Sequence, residues 1–270
     1  MADVRQEVHA YRTILGARLR AQTTYRGSFA ADVLGTVGVG AADLAEVYVI
    51  FHNVTLLGGL TFAQALIVFA LATMAFSVAD MLVGHLDSLP AFIRAGTVDA
   101  FYLRPLSLLG QLVTSDLSLR RVGRLAVAVV VLMVAVHLNA VAVTPRSVLL
   151  VLATVLTGTT IVGALFVAAS ALQFFLVEGS EVTNAFVYGG AYASQQSAQV
   201  FPGPLRLLFS YVVPAAFVAY LPTVVLLDLP GAALLPPWLG WFAPLVAAAA
   251  WGVALLLWRA GTRHYQGAGG

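Results

Sequence analysis

Two carboxylates, Asp43 and Glu46, stand three residues apart inside an otherwise apolar stretch, a spacing that puts both on one face of a helix. A carboxylate near a bilayer centre costs about 2.5–3.5 kcal/mol on insertion scales, so such residues normally face a cavity, a partner or a bundle interior. The pair can draw cations along a protein-lined path, or it can pair with Arg146 or Arg206. A protonated Asp43 and a Glu46 shallow enough to reach headgroups would account for the same residues without any function. Further along, Tyr188, Tyr192, Gln195 and Gln199 form a polar and aromatic stripe. Beside it run Ala185, Gly189, Ala193 and Ser197, small residues at four-residue steps that let helices approach closely. That stripe can line a path or hydrogen-bond across a subunit interface, and plain helix packing with interfacial tyrosines also explains it.

Other chemistry is absent. His9, His52, His85, His137 and His264 are scattered without metal-ligand spacing. With no cysteine there is no disulfide framework and no thiolate metal site. No Ser/His/Asp set suggests a catalytic residue. All 14 basic residues are arginine, and a phosphate-binding loop of the G-x-x-x-x-G-K-[ST] type needs a lysine, so the chain does no ATP chemistry of its own. A net charge of +2 spread along the chain, without a basic block, gives no support for nucleic-acid binding.

The elements that position these residues are membrane helices. Hydrophobic residues make up 60% of the 270 and charged residues 10%, against about 25% charged in an ordinary soluble domain. The mean hydropathy is +0.92. Apolar runs long enough to cross a ~30 Å hydrocarbon core are expected at about 29–51, 60–83, 125–138, 148–177, 183–200 and 238–258. This is an all-α polytopic fold with about six spans. Pro202, Pro204, Pro214 and Pro222 break the chain between the last two, which reads as a pair of short re-entrant helices over 204–227; a rival reading makes 205–227 the fifth span. Residues 1–27 are expected to form an amphipathic interfacial helix, with Val4, Val8, Tyr11, Leu15 and Leu19 on its apolar side, ahead of a transmembrane domain over 28–270. Arginines cluster before the first span, between the second and third, and after the last. The positive-inside rule therefore puts both termini and the 85–121 loop in the cytoplasm. Asp80 and Asp32, near the cytoplasmic ends of their spans, are expected to pair with nearby arginines.

The 89–107 stretch reads Leu-Pro-Ala-Phe-Ile-Arg-Ala-Gly-Thr-Val-Asp-Ala-Phe-Tyr-Leu-Arg-Pro-Leu-Ser. It resembles the I-R-x-G-x-x-D-x-x-L-x-R-P loop of the ABC-2-type permease family. Tyr25-Arg26, Gly58-Gly59, the Pro214–Pro222 segment with its P-x-x-F-x-x-Y-x-P pattern, and the terminal Tyr265-Gln266-Gly267-Ala268-Gly269 match in the same order, over nearly the whole length. Leu60 and Phe101 depart from the family, which often has an aromatic after the glycine pair and an aliphatic at the second place. The resemblance implies the membrane half-permease of an exporter in the bacterial plasma membrane. Its partners would be a second permease chain, identical or different, and two copies of an ABC ATPase that binds the ATP and Mg. The family loop forms a coupling helix on the ATPase, which brings Phe92, Ile93, Arg94, Gly96, Asp99, Phe101, Leu103, Arg104 and Pro105 into that role. Exposed apolar Phe92, Ile93, Val98, Phe101 and Leu103 would need a partner to cover them, with Arg94, Asp99 and Arg104 at the rim. A membrane-embedded enzyme or a secondary transporter using Asp43 and Glu46 is the alternative. The first would need more polar groups at that depth, the second an internal repeat.

Overall fold

The computed structural model describes residues 11–13, 16, 17, 20, 22, 24, 26–176, 180–232 and 234–265. Among these it is helical, with no strand longer than an isolated bridge. The principal helices are α1 (Arg26–Asn53), α2 (Phe62–Val83), α3 (Leu89–Arg94), α4 (Val98–Tyr102), α5 (Leu108–Ser115), α6 (Val122–Leu138) and α7 (Pro145–Leu172). After them come α8 (Ser180–Thr183), α9 (Gly189–Ser194), α10 (Gly203–Leu207), α11 (Ala215–Val218), α12 (Tyr220–Leu226) and α13 (Ala243–His264).

Among the described residues, five helical runs are long and apolar enough to cross a membrane: Arg26–Asn53, Phe62–Arg94, Leu119–Leu138, Pro145–Leu172 and Pro237–His264. Composition decides which of them lies inside. Helix α2 is apolar on every side, and 78% of its span window is buried, against 11% for α1, as expected of an all-round apolar helix. It packs against α6 and α7, α13 covers α7, and α1 lies at the periphery on α6. Capping boxes start two of the spans: Thr61 with Gln64 opens α2, and Thr144 with Ser147 opens α7, where Pro145 takes the first turn.

The fifth expected span, 183–200, is shorter than expected. Helix runs only from Ser180 to Ser194, and Asn184–Tyr188 within it is π-helical; at 1.5 Å per residue this is roughly 22 Å. Its ends nevertheless reach opposite ends of the bundle. Gln173 Nε2 donates to Thr183 Oγ1 at 2.7 Å beside the end of α7, and Ser197 Oγ donates to the Gly58 carbonyl at 2.6 Å in the α1–α2 turn. Gly190, next to the expected small-residue stripe, makes a close contact: a Cβ there would lie 2.8 Å from Val213 Cγ1 and 3.7 Å from Leu165 Cδ1.

Residues 203–226 are not one span but a broken hairpin. Helix α10 passes into a π turn (Leu208–Val212), and the chain turns at Val213 and Pro214 before climbing through α11 and α12. The turn is packed beside Gly190 and Leu165, and the Val218 carbonyl lies 3.0 Å from where a Cβ on Gly158 would sit. Both halves return to the end of the bundle that holds the Gly58–Gly59 turn, where Gln199 Nε2 donates to Tyr220 Oη at 2.8 Å.

Arg26, Arg94, Arg104, Arg120, Arg121, Arg259 and Arg263 gather at one end of the helices, where Ser170 Oγ also donates to the Leu86 carbonyl at 3.0 Å. Arg146 and Arg206 lie at the opposite, arginine-poor end. Asp80 pairs with Arg121 as expected, whereas Asp32 is exposed and has no ion pair among the described residues. Of the expected N-terminal helix, Val4, Val8, Leu15 and Leu19 lie outside the described residues. The described part is helical and leans on the 107–119 loop: Tyr11 Oη is 3.3 Å from Ser107 Oγ, and Gln22 Nε2 donates to Asp116 Oδ1 at 3.1 Å.

Candidate coupling surface and translocation path

The loop at the arginine-rich end is a small folded unit rather than an open strand. Helix α3 ends in a Schellman turn: the Thr97 N–H donates to the Phe92 carbonyl at 3.1 Å and the Gly96 N–H to the Ile93 carbonyl at 3.0 Å. Gly96 takes φ +67°, a left-handed conformation that glycine adopts without a Cβ clash. Leu86, Leu89, Val98 and Leu112 anchor the unit, each at most 1% exposed.

Burial sorts the expected coupling residues into two groups. Val98 is wholly inside this chain's own core and so cannot meet a partner. Phe92, Ile93 and Phe101 are half-buried against that core. The Phe92 ring sits edge-on to Phe101 at 6.1 Å and to His85 at 5.4 Å. The expectation that they await an external cover is therefore corrected: the chain covers much of them itself. The outward group is Leu103, 87% exposed, with Tyr102, Arg94, Arg104 and Pro105 around it. Gln111, which sequence reasoning passed over, holds this tip. Its buried Nε2 donates to the Phe101 carbonyl at 2.9 Å and the Leu106 carbonyl at 3.0 Å.

Asp99 faces the C-terminal helix instead of the rim. Tyr265 Oη donates to Asp99 Oδ1 at 2.9 Å, and the Tyr265 ring stacks on Tyr102 at 6.1 Å and meets Phe174 edge-on at 5.8 Å. Burial first, then the bond to Asp99 and its charge, push the Tyr265 phenol up to about 12. Tyr102 is raised as well, by burial and then by Asp99.

Asp43 and Glu46 do share a helix face, but neither meets Arg146 or Arg206. Arg124 Nη2 lies 2.6 Å from Asp43 Oδ2, and its guanidinium sits 5.2 Å above the Phe76 ring. The reason is parallel packing of α1 on α6: Gly123 faces Thr36, and further along both helices Gly40 faces Val127 and Arg124. Arg124 thus belongs to a span and reaches along it toward Asp43, and it could have been suspected as the arginine nearest an apolar run. Glu46 accepts a hydrogen bond from Tyr192 Oη. Arg206 instead donates to the carbonyls of Gln199 and Phe201, at 3.2 and 3.1 Å.

The polar stripe separates. Tyr188 and Tyr192 are exposed, Tyr188 Oη donating to Asp87 Oδ2 at 3.0 Å, while Gln195 is buried. Gln199 is a clamp for the arginine-poor end, bonded to Tyr220 and packed over Gly59. Only Glu46 and Tyr192 of the six expected path residues touch each other through side chains among the described contacts. Among the described residues no cluster of three His, Asp or Glu side chains is placed to hold a metal ion.

A family model described as "ABC-2 family transporter protein" matches residues 37–269. The chain belongs to this family. It is thus a membrane permease component of an ABC transporter, a multi-pass membrane protein rather than a catalytic chain, and its family implies an ABC ATPase as partner. No curated protein and no solved structure matches it. Within this ABC-2 permease the match takes in both the 89–105 unit and the Asp43–Glu46 face, but begins after the first turns of α1.

Proposed function

We propose that the chain is a half-permease of an exporter in a bacterial plasma membrane, paired with a second permease chain and driven by two copies of a separate ATPase. The observation that carries this reading is the exposed tip at Leu103, held out by Gln111 and braced from behind by the Tyr265–Asp99 bond. A leucine 87% exposed amid arginines suits an apolar knob in a groove with a charged rim. In this reading the arginine-rich end is cytoplasmic, which agrees with the positive-inside rule. The cytoplasmic docking surface is Leu103 with Tyr102, Arg94, Arg104 and Pro105, and Phe92, Ile93, Gly96, Asp99 and Phe101 position it.

The second permease chain is supported by Glu46 and Tyr192. Both are exposed on the face of this single chain, within a membrane span and the short 180–194 run beside it. An exposed carboxylate at that depth does not face lipid, so it faces a water-filled path or another subunit. Asp43 and Arg124 lie just beneath that face. ATP and Mg belong to the partner ATPase, for this chain has no phosphate loop.

The test is reconstitution. The purified permease should hydrolyse no ATP alone, and the partner ATPase should co-purify with it and depend on it for transport. Hydrolysis by the isolated chain, or transport by it without the ATPase, would refute the reading.

A further inference from the structure

At the arginine-poor end, two cavities meet along one helix. The first, of about 310 Å³, lies between the turn after α6 and the turn after α12, with Asn139, Thr144, Arg146, Ser147 and Asp228 among its walls. The second, of about 180 Å³, follows α7 from Arg146 through Leu149 and Ala153 to Thr157, walled opposite by Pro222 and Trp241. Arg146 and Leu150 line both, so the two lie side by side along α7.

The first cavity is polar and carries one charge of each sign. Among the described residues neither Arg146 nor Asp228 forms an ion pair. Arg146 is held at the junction by the Trp241 ring, 6.0 Å below its guanidinium. The two non-glycine residues described with positive φ, Ala140 at +48° and Asp228 at +50°, both line this cavity. Both are left-handed helix-ending residues, of α6 and α12, where the Val141 N–H donates to the Val136 carbonyl at 3.1 Å and the Leu229 N–H to the Val224 carbonyl at 2.9 Å, so the two caps shape the cavity wall. The second cavity is mainly apolar. From Arg146 to Thr157 it runs about 16 Å at 1.5 Å per residue, about the depth of one leaflet of a ~30 Å core.

We propose that this two-part cavity binds a phospholipid whose headgroup carries both a phosphate and an ammonium, with the phosphate on Arg146, the ammonium on Asp228 and one acyl chain in the α7 groove. Charge complementarity selects the headgroup, because Asp228 repels an anionic head that has no ammonium. The groove selects a lipid over a soluble zwitterion. In a bilayer a tail gains no hydrophobic energy by moving from lipid to protein, so preference among lipids rests on the head. The inference rests on α7 and α13 crossing the membrane and is independent of the ATPase-docking surface.

The experiment is thermal unfolding of the full chain in a neutral sugar-head detergent, titrated with phosphatidylethanolamine or phosphatidylglycerol of identical short chains. Phosphatidylethanolamine should reach half-saturation at a concentration at least five-fold lower. Asp228→Asn keeps a residue tolerant of the left-handed backbone and removes the charge, so it should abolish that preference. Ala153→Phe, which fills the groove, should weaken both lipids several-fold, and free phosphoethanolamine should not stabilise. Equal response to the two lipids, a preference that survives Asp228→Asn, or equal stabilisation by the chain-free headgroup would overturn the proposal. ATPase co-purification is not measured here, so its failure and this one are separate results.

Discussion

The hydroxyl of Tyr265 donates to Asp99 at 2.9 Å, joining the end of the last span to the folded loop between the second and third spans, 166 residues away in sequence. The bond backs the face that carries Leu103, because Tyr102 stacks on the same tyrosine ring. Tyr265→Phe should lower stability in detergent by about 1 kcal/mol, the usual net worth of one hydrogen bond. The sign with pH follows from the raised phenol. Folding favours the neutral form, so the contribution is complete below the ordinary value near 10 and is lost as pH rises toward about 12. The gap between the two proteins should hold constant from pH 7 to 9.5 and narrow by pH 11; a gap that widens over that range would contradict the assignment.

Arg124 and Asp43 should behave as a pair. Breaking a buried pair by removing one partner costs about 3–5 kcal/mol, and with side chains 23% and 27% exposed roughly 1–3 kcal/mol is expected here after screening. Arg124→Gln and Asp43→Asn singly should each reduce folded yield, and the double variant should recover part of it. Strict additivity of the two losses would show that the ion pair carries no coupling energy.

Gly190 should tolerate no larger side chain. A Cβ would approach Val213 to 2.8 Å, so Gly190→Leu should cost about 1–3 kcal/mol by overpacking and displace the Val213–Pro214 turn. Unchanged unfolding of that variant would mean the hairpin does not press on α9.

Topology follows from the arginine-rich end. This chain has no cysteine, so single cysteines at exposed Ala95, Leu56 and Arg263 report sidedness directly. Ala95→Cys and Arg263→Cys should be labelled from the cytoplasmic side and Leu56→Cys from the other. Labelling of Arg263→Cys and Ala95→Cys from opposite sides would overturn the even number of crossings.

Composition and arginine placement made the membrane fold legible, because long apolar runs and their charged flanks are local properties. The loop motif was legible too, down to Gly96, whose type is dictated by one turn. What stayed hidden depends on contacts between distant residues. Nothing in the local pattern of Val98 distinguishes a leucine-like knob for a partner from an anchor in the chain's own core, and burial alone decides that. The Arg124–Asp43 pair needed the register of α1 against α6. The 183–200 segment read as a longer helix because no proline announces its stop after Ser194, where a turn at Gln195 and Gln196 leads into the short Ala198–Val200 turn.

The central claim is that the Leu103 tip seats on an ATPase, and the most direct measurement is co-purification of the partner ATPase with Leu103→Asp from detergent. Burying a leucine stabilises a contact by about 1.5–3 kcal/mol, so its loss with an added carboxylate should weaken ATPase capture at least ten-fold while folded yield stays unchanged, since the side chain is 87% exposed. Phe92→Asp and Phe101→Asp should instead reduce folded permease, because those rings pack inside the chain. Full ATPase capture and full transport by Leu103→Asp would contradict the account.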